Sequence, residues 1–358
     1  MKKRELLTVI LFCGFLFAML LGYLLLPKAE FSETEKRFLA ETPALRWDAV
    51  ASGDWGTEAE TYMADHIPFR DFFVGLNAYF ELYTGRQVSD DVWLRDGRLL
   101  ESPAIHDDAA IQRNLKAINN FAASTCQEVD LMIVPSAGWA AGEKEYTDSA
   151  ILEAIENACG AGVTFLPMAD VYRDSPELFY RTDHHWNSEG AYRAYEAWMT
   201  AKNRPFRTEQ DFERQLAGTF FGSTYSRSAL WLTDGEELEL WLGSENLTVT
   251  TEKGTHEGVF YMERLEEADK YTVFLDGNHP IVRITNPGQE GKLLVIRDSY
   301  ANSLGCFLAE SYGEVVLVDL RYYRQSLSQL VQEEGFADIL VCYSLKNFLS
   351  DTNLMLLR

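Results

Sequence analysis

Two short stretches of this chain carry the residue types that nucleophilic catalysis needs. One is Lys292-Leu-Leu-Val-Ile-Arg-Asp-Ser-Tyr-Ala-Asn302, with Ser299 near its centre, and the other is Asp183-His184-His185-Trp186. A serine hydroxyl becomes a nucleophile when a base takes its proton, and the base needs an acceptor that fixes its tautomer. Asp183 and His185 supply both roles, because a loop can turn residues i and i+2 toward one cleft. The same tetrad has two other readings. It is also what a helix-entry loop with locally satisfied polar groups looks like. Paired histidines beside an aspartate are in addition competent to bind zinc, with His66 and His279 as further candidate ligands.

The elements that must position these residues follow from hydrophobic periodicity. Leu293 to Ile296 reads as a buried strand of a parallel sheet, and Tyr300 to Leu308 as the helix after it. Ser299 then lies on a strand-to-helix turn at the carboxyl edge of the sheet, where doubly wound folds place ligands. Helix amides close to it are suited to stabilise an oxyanion. Upstream, Asp108 to Ser124 carries Ile111, Leu115, Ile118 and Phe121 on one helical face. Val129 to Val134 is a buried strand ended by Pro135. Ile151 to Ala158 is a second helix, broken by Gly160 and Gly162, and Val163 to Leu166 a second strand. The tetrad precedes a helix, Ala191 to Ala201, with Asn187 or Ser188 as N-cap. Val315 to Leu320 and Ile339 to Tyr343 are further strands, with a helix between them from Leu327 to Glu334. This alternation implies a parallel sheet with right-handed crossovers. Pro205 to Gly291 interrupts it. There Trp231, Leu238, Leu240, Trp241, Val249, Val259, Tyr261, Tyr271, Val273 and Phe274 give short alternating patterns that predict a β-rich insertion.

The N-terminal part is of a different kind. Leu6 to Leu26 is an apolar run of about 21 residues, long enough to cross a bilayer. Met1-Lys-Lys-Arg4 precedes it, and a positive flank stays cytoplasmic, so the remainder is expected outside the cytoplasm. A cleaved signal peptide is the competing reading, but no small-x-small site follows Leu24-Leu-Leu-Pro27. Residues 28 to about 60 read as a polar stalk with short helical pieces. Phe72 to Tyr83 is amphipathic, with an aromatic face of Phe72, Tyr79, Phe80 and Tyr83 that is expected to pack into a core. Val88 to Leu100 has the pattern of a hairpin turning at Asp96-Gly97. The organisation is therefore an anchor over 1–27, a stalk and hairpin region over 28–100, and an α/β domain over 101–358 with the insertion at 205–291.

The chain has 358 residues, 47% of them hydrophobic, and a formal charge of −23. That charge argues against nucleic acid as a partner and would also repel an anionic lipid surface. Outside the cytoplasm, Cys126, Cys159, Cys306 and Cys342 would meet an oxidising compartment. Cys126 and Cys159 each end a helical stretch just before a strand, and a bridge between them is expected if those strands are neighbours. Cys306 and Cys342 read as buried thiols.

Asp183-His-His-Trp186, followed by Val295-Ile-Arg-Asp-Ser-Tyr-Ala-Asn302 and Val318-Asp-Leu-Arg-Tyr-Tyr323, resembles the DHHW family of Gram-positive bacteria. His66-Ile-Pro-Phe-Arg70, Asp91-Val-Trp-Leu94 and Tyr271-Thr-Val-Phe-Leu-Asp-Gly-Asn278 fit the same pattern. That family is similar to the alginate O-acetylation proteins, whose domain is a circularly permuted SGNH hydrolase. The permuted order places the Asp-x-His pair before the serine, as here. The resemblance implies an SGNH-like α/β fold with Ser299 as nucleophile, His185 as general base and Asp183 as its orienting acid. It implies no role for His184. The oxyanion donors it implies are the Ser299 amide with Gly277 and Asn278, or Asn302 in competition with them, and Arg321 corresponds loosely to a substrate-holding arginine. It further implies O-acetyl transfer to, or removal from, a cell-envelope polysaccharide. A membrane-bound O-acyltransferase would be the acetyl-donor partner, and neither metal nor organic cofactor is required. One departure stands out: Arg297-Asp298-Ser299 replaces the usual Gly-Asp-Ser. A non-catalytic glycan-binding or assembly protein and a metal-dependent hydrolase are the other classes compatible with these residues.

Overall fold

The computed structural model describes residues 3–86, 88–89 and 91–357. Met1 and Lys2 of the positive flank, and Asp90 within the hairpin region, lie outside the described residues. The chain divides into two compact units, residues 1–90 with 225–232, and residues 91–224 with 233–358.

In the larger unit the periodic apolar segments become the expected strands and helices. Val129–Val134 (β1) and Val163–Leu166 (β2) come first. Thr248–Thr251 (β3), Gly254–Glu257 (β4) and Ile281–Thr285 (β5) follow. Lys292–Arg297 (β6), Glu314–Val318 (β7) and Asp338–Ser344 (β8) complete one 8-stranded sheet of order β4-β3-β5-β7-β6-β8-β1-β2. From β7 to β2 every pairing is parallel, and β5, β3 and β4 join antiparallel at one edge. β6 is central, and Leu293 to Ile296 are fully buried, as a strand covered on both faces requires. Alternate residues feed two cores. Leu293 and Val295 face one, Leu294 and Ile296 the other.

The stretch 205–291 is less strand-rich than its sequence suggests, and part of it is not a separate insertion layer. β3, β4 and β5 extend the main sheet, while Glu213–Phe220 and Glu236–Leu242 form their own antiparallel pair. Trp231, Val259, Tyr261, Tyr271, Val273 and Phe274 lie in turns and short 3₁₀ segments instead of strands. Their alternation reflects burial of single anchoring side chains, which period-two reasoning cannot tell from a strand. The hairpin forms as expected from Val92–Arg95 and Arg98–Glu101, and Asp96 and Gly97 both have positive φ (44° and 75°) in its turn.

The cysteine bridge is not formed. β1 and β2 are indeed neighbours, but Cys126 and Cys159 are free thiols. Each thiol instead donates to a carbonyl of the helical stretch it ends, Cys126 to Ala123 O and Cys159 to Ile155 O.

In the smaller unit, Lys3–Leu25 (α1) is a 23-residue helix with no buried residue, apolar and long enough to cross a membrane. The later part is held by ion pairs. Arg37 donates to both oxygens of buried Asp65 (Nη1 to Oδ2 at 3.0 Å, Nη2 to Oδ1 at 2.5 Å), and the Ala40 amide donates at 2.9 Å. Arg70–Tyr83 (α2) packs only partly. Gly75 and Ala78 are buried, whereas Phe72, Phe80 and Tyr83 are exposed, contrary to the core role expected of them. The reason is that the covering segment, 225–232, reaches only the Gly75 side of the helix, where the Trp231 ring leaves no room for a Cβ.

The hydrogen bonds from Arg37 lower the Asp65 carboxyl to about 2. Its stabilisation is therefore complete above the unfolded carboxyl range near pH 4 and disappears as pH falls toward 2. Asp65→Asn should cost about 1 kcal/mol at pH 7, and the gap to the wild type should narrow below about pH 4 and close as pH falls through about 2. Urea unfolding across pH 2–7 measures it.

Candidate active site

Ser299 follows the end of β6, and the helix Ala301–Leu308 begins two residues later. The turn between them is clamped by its neighbour Asp298, which is buried. One Asp298 oxygen accepts from the Tyr300 amide (3.0 Å). The other accepts from the Ser344 amide and hydroxyl (2.9 Å each) and Asn347 Nδ2 (2.8 Å). A buried carboxylate needs such donors, so the β6–β8 pairing and the position of Ser299 are fixed together.

The Asp183-His-His-Trp186 loop is fastened just as firmly. Asn187 caps the helix Ser188–Ala201, accepting from the Gly190 amide at 2.9 Å. Trp186 is fully buried, and its Nε1 donates to Ser303 Oγ (2.9 Å) and Tyr300 O (3.1 Å) on the Ser299 side. On the other side, the Arg181 and Thr182 amides and the Thr182 hydroxyl donate to the Glu236 carboxylate.

These two anchors bring the sequence-predicted trio together. Ser299 Oγ lies 2.8 Å from His185 Nε2, and His185 Nδ1 lies 2.5 Å from Asp183 Oδ1. The other Asp183 oxygen accepts the Ser223 amide at 2.6 Å. Burial alone would raise the Asp183 carboxyl. The adjoining His185 and His184, with hydrogen bonds from His185 and Ser223, outweigh it and hold the group well below its usual range. An ionised Asp183 keeps the His185 proton on Nδ1 and leaves Nε2 as acceptor for the serine hydroxyl. The Tyr271 ring stacks on the imidazole at 4.0 Å and 10°. Asp183 and His185 are buried while Ser299 is partly exposed, so the chain of hydrogen bonds opens to solvent at its Ser299 end.

Several contributors were not singled out in the sequence. Gly222 stands where a Cβ would come within 2.2 Å of Asp183 Cβ, so glycine is what lets the Ser223 amide reach the carboxylate. Glu236 also comes from the 205–291 stretch, as does Tyr271, which the sequence marked only as part of an alternating pattern and of the family-like segment 271–278. No local signal marks the supporting role of either, because each acts through a partner distant in sequence.

The other predicted residues fall into distinct environments. The Gly277 amide is committed to Phe274 O. Asn278 Oδ1 accepts from Arg297 Nη1 (2.8 Å) and Asn302 Nδ2 (3.2 Å), which joins both candidate oxyanion side chains in one network. Arg297, the departure from glycine, is wholly buried in that network. Arg321 is paired with Asp319, Nη2 to Oδ2 at 2.6 Å. Donor atoms of Asp183, His184 and His185 lie within 4.8 Å of one another, close enough for a cation. Binding one through His185 would compete with its present bonds, since both ring nitrogens are engaged. His66 and His279 are bonded elsewhere, His66 to Ala40 O and His279 to Glu252 and Asp276.

A mainly parallel sheet that presents serine, histidine and aspartate in hydrogen-bonded order at its carboxyl edge is an SGNH-like α/β architecture. Within that class, residues 168–318 match the model of the DHHW protein family, so the likeness read from the sequence stands. No curated protein matches the chain. Its fold is similar to that of a DHHW family protein from Eubacterium siraeum DSM 15702. The TM-score is 0.63 and the identity 21%, over 75% of this chain and 97% of that one. PatB1 from Bacillus cereus, solved with a sulfonyl adduct, matches with a TM-score of 0.63 and 21% identity, over 75% and 98%.

Asp298→Ala would leave the Ser344, Asn347 and Tyr300 donors unpaired in the interior. A loss of about 3 kcal/mol in unfolding free energy is expected from that mechanism, against under 1 kcal/mol for the exposed Asp269→Ala. Chemical denaturation of the two variants tests it.

Proposed function

We propose that the protein transfers or removes O-acetyl groups on a cell-envelope polysaccharide through an acyl-enzyme on Ser299. The observation that carries this reading is the continuous set of contacts from Asp183 to His185 to Ser299 Oγ. In the first step His185 Nε2 takes the hydroxyl proton as Oγ bonds to the acetyl carbonyl carbon. The C–O bond to the donor then breaks, and the departing oxygen receives the proton from His185. In the second step His185 deprotonates an incoming sugar hydroxyl, or water, which attacks the acetyl-serine and regenerates Ser299. Asp183 stabilises the imidazolium in both steps. The Ser299 amide and the Asn278–Asn302 pair are the oxyanion donors in this reading, with the Gly277 turn shaping their approach. Arg321 serves at the substrate edge. The chemistry calls for no metal or organic cofactor.

The family match and the shared fold support acetyl transfer as the general activity. The apolar α1 supports a single-pass anchor over 1–27, with 28–100 as connecting region and 101–358, including 205–291, as an extracytoplasmic domain. A membrane-bound O-acyltransferase then supplies the acetyl group. A purely glycan-binding protein would not require Ser299 and His185 to be hydrogen-bonded, and here they are.

Incubated with p-nitrophenyl acetate, the detergent-solubilised full chain should release p-nitrophenol, and Ser299→Ala should lose at least about 10³-fold in rate. An acetyl adduct on the Ser299 peptide is expected. Equal rates for the two proteins would sink the acyl-enzyme, and loss of rate only with chelator would point to metal chemistry. Asn278→Ala should reduce kcat by about 10²-fold with little change in KM, the signature of a donor used in the transition state.

A further inference from the structure

The exposed face of α2 is the strongest feature that the proposed chemistry leaves unused. Its other side is occupied. The Trp231 indole packs on Gly75 and donates to Asp71 O at 3.1 Å, and Tyr79 Oη accepts the Leu232 amide at 2.8 Å. Phe69, Phe72, Leu76, Phe80 and Tyr83 face away from that contact and are 73%, 64%, 55%, 65% and 85% exposed. Steps of three and four residues place Phe72, Leu76, Phe80 and Tyr83 on a single stripe, with Phe69 just ahead of the helix, and Arg70, Asp71 and Glu81 fall outside it. Water is a poor neighbour for five large apolar side chains in a row.

The start of the stripe is tied to the end of the apolar helix α1. A Cβ on Gly22 would come within 2.9 Å of Pro68 Cγ, so the chain just before Phe69 lies against the last turns of α1. Lys28 holds the same junction, with its ammonium donating to Tyr23 O (2.6 Å) and His66 O (3.3 Å). If α1 spans the bilayer to Leu25, Gly22 is about 4.5 Å inside its outer end, by the rise of an α-helix. The Pro68–Phe69 step is then at the boundary between hydrocarbon and headgroups, where aromatic side chains are favoured.

We propose that α2 is an interfacial helix that lies on the outer leaflet with this stripe immersed in lipid. The smaller unit is thereby attached to the membrane twice, by a span and by a surface helix. The occupant is the lipid boundary itself, because the stripe is uncharged and continuous with the end of the span. The stripe is apolar and the chain carries a net charge of −23, so the attachment draws on apolar burial and requires no anionic lipid. The inference rests on the anchor reading of α1, and the test separates the two.

Full-length protein is placed in phosphatidylcholine nanodiscs, with Cys13, Cys126 and Cys159 replaced by serine. Nitroxide labels are introduced one at a time through Phe72→Cys, Phe80→Cys, Leu11→Cys and Glu58→Cys. Relaxation by oxygen, which partitions into lipid, is compared with relaxation by a water-soluble nickel chelate. Labels at 72 and 80 should gain oxygen access and lose nickel access relative to the label at 58, with the label at 11 marking the span. Nickel access at 72 and 80 equal to that at 58, with 11 in lipid, overturns the surface helix and leaves the anchor intact. Lipid access at 72 but not 80 shows that α2 leaves the surface, and also overturns it. Shielding from both reagents indicates a protein partner and overturns it as well. Nickel access at 11 removes the anchor and this inference together.

Discussion

The burial of one carboxylate organises the larger unit. Asp183 has left water, and a lone charge in that position would cost several kcal/mol. It is tolerable because three donors reach it: the His185 imidazole and backbone amide on one oxygen and the Ser223 amide on the other. Each of these sets a further demand. The imidazole must be held in one orientation, which the Tyr271 ring does, and the amide can approach only because residue 222 has no side chain. A segment about 40 residues downstream of the tetrad is thus part of the environment of Asp183. The 205–291 stretch works as the second wall of the site, however loosely its sequence alternates.

The opposite wall is the parallel sheet. Ser299 owes its position to two partners of Asp298 at the end of β8, and to Trp186, whose indole links the two motif stretches directly. Ser299 and His185 belong to rigid elements joined by buried hydrogen bonds, so the proposed proton transfer between them needs little reorganisation. That preorganisation is the physical content of the proposed acyl transfer. The smaller unit follows another logic. Its ion pairs around Asp65 give it internal order, but among the described residues its helix α2 has an apolar face that no segment of the unit covers.

The strands and helices of the α/β core were legible in the sequence because burial on both faces of a parallel sheet writes unbroken apolar runs such as Leu293 to Ile296. Turn chemistry was legible where residue type is decisive, as at Asp96-Gly97 and at the Asn187 cap. Single aromatic anchors were misread as strands from Val259 to Phe274, since isolated buried residues mimic a period of two. The aromatic face of α2 was read as core because amphipathicity records that a face is apolar without recording what covers it. The expected cysteine bridge failed for a related reason: neighbouring strands do not by themselves bring the flanking thiols to bonding geometry.

By itself the sequence determined the residue types of the site, their order along the chain, and the elements that carry them, because these depend on local spacing and on the apolar content of short segments. Only the tertiary structure decided that Ser299, His185 and Asp183 touch, that Gly222, Ser223, Glu236 and Tyr271 support them, and that Arg321 is held by Asp319. Those relations connect positions far apart in the chain. They depend on which buried polar groups find one another once the sheet has closed, and no local pattern encodes that outcome.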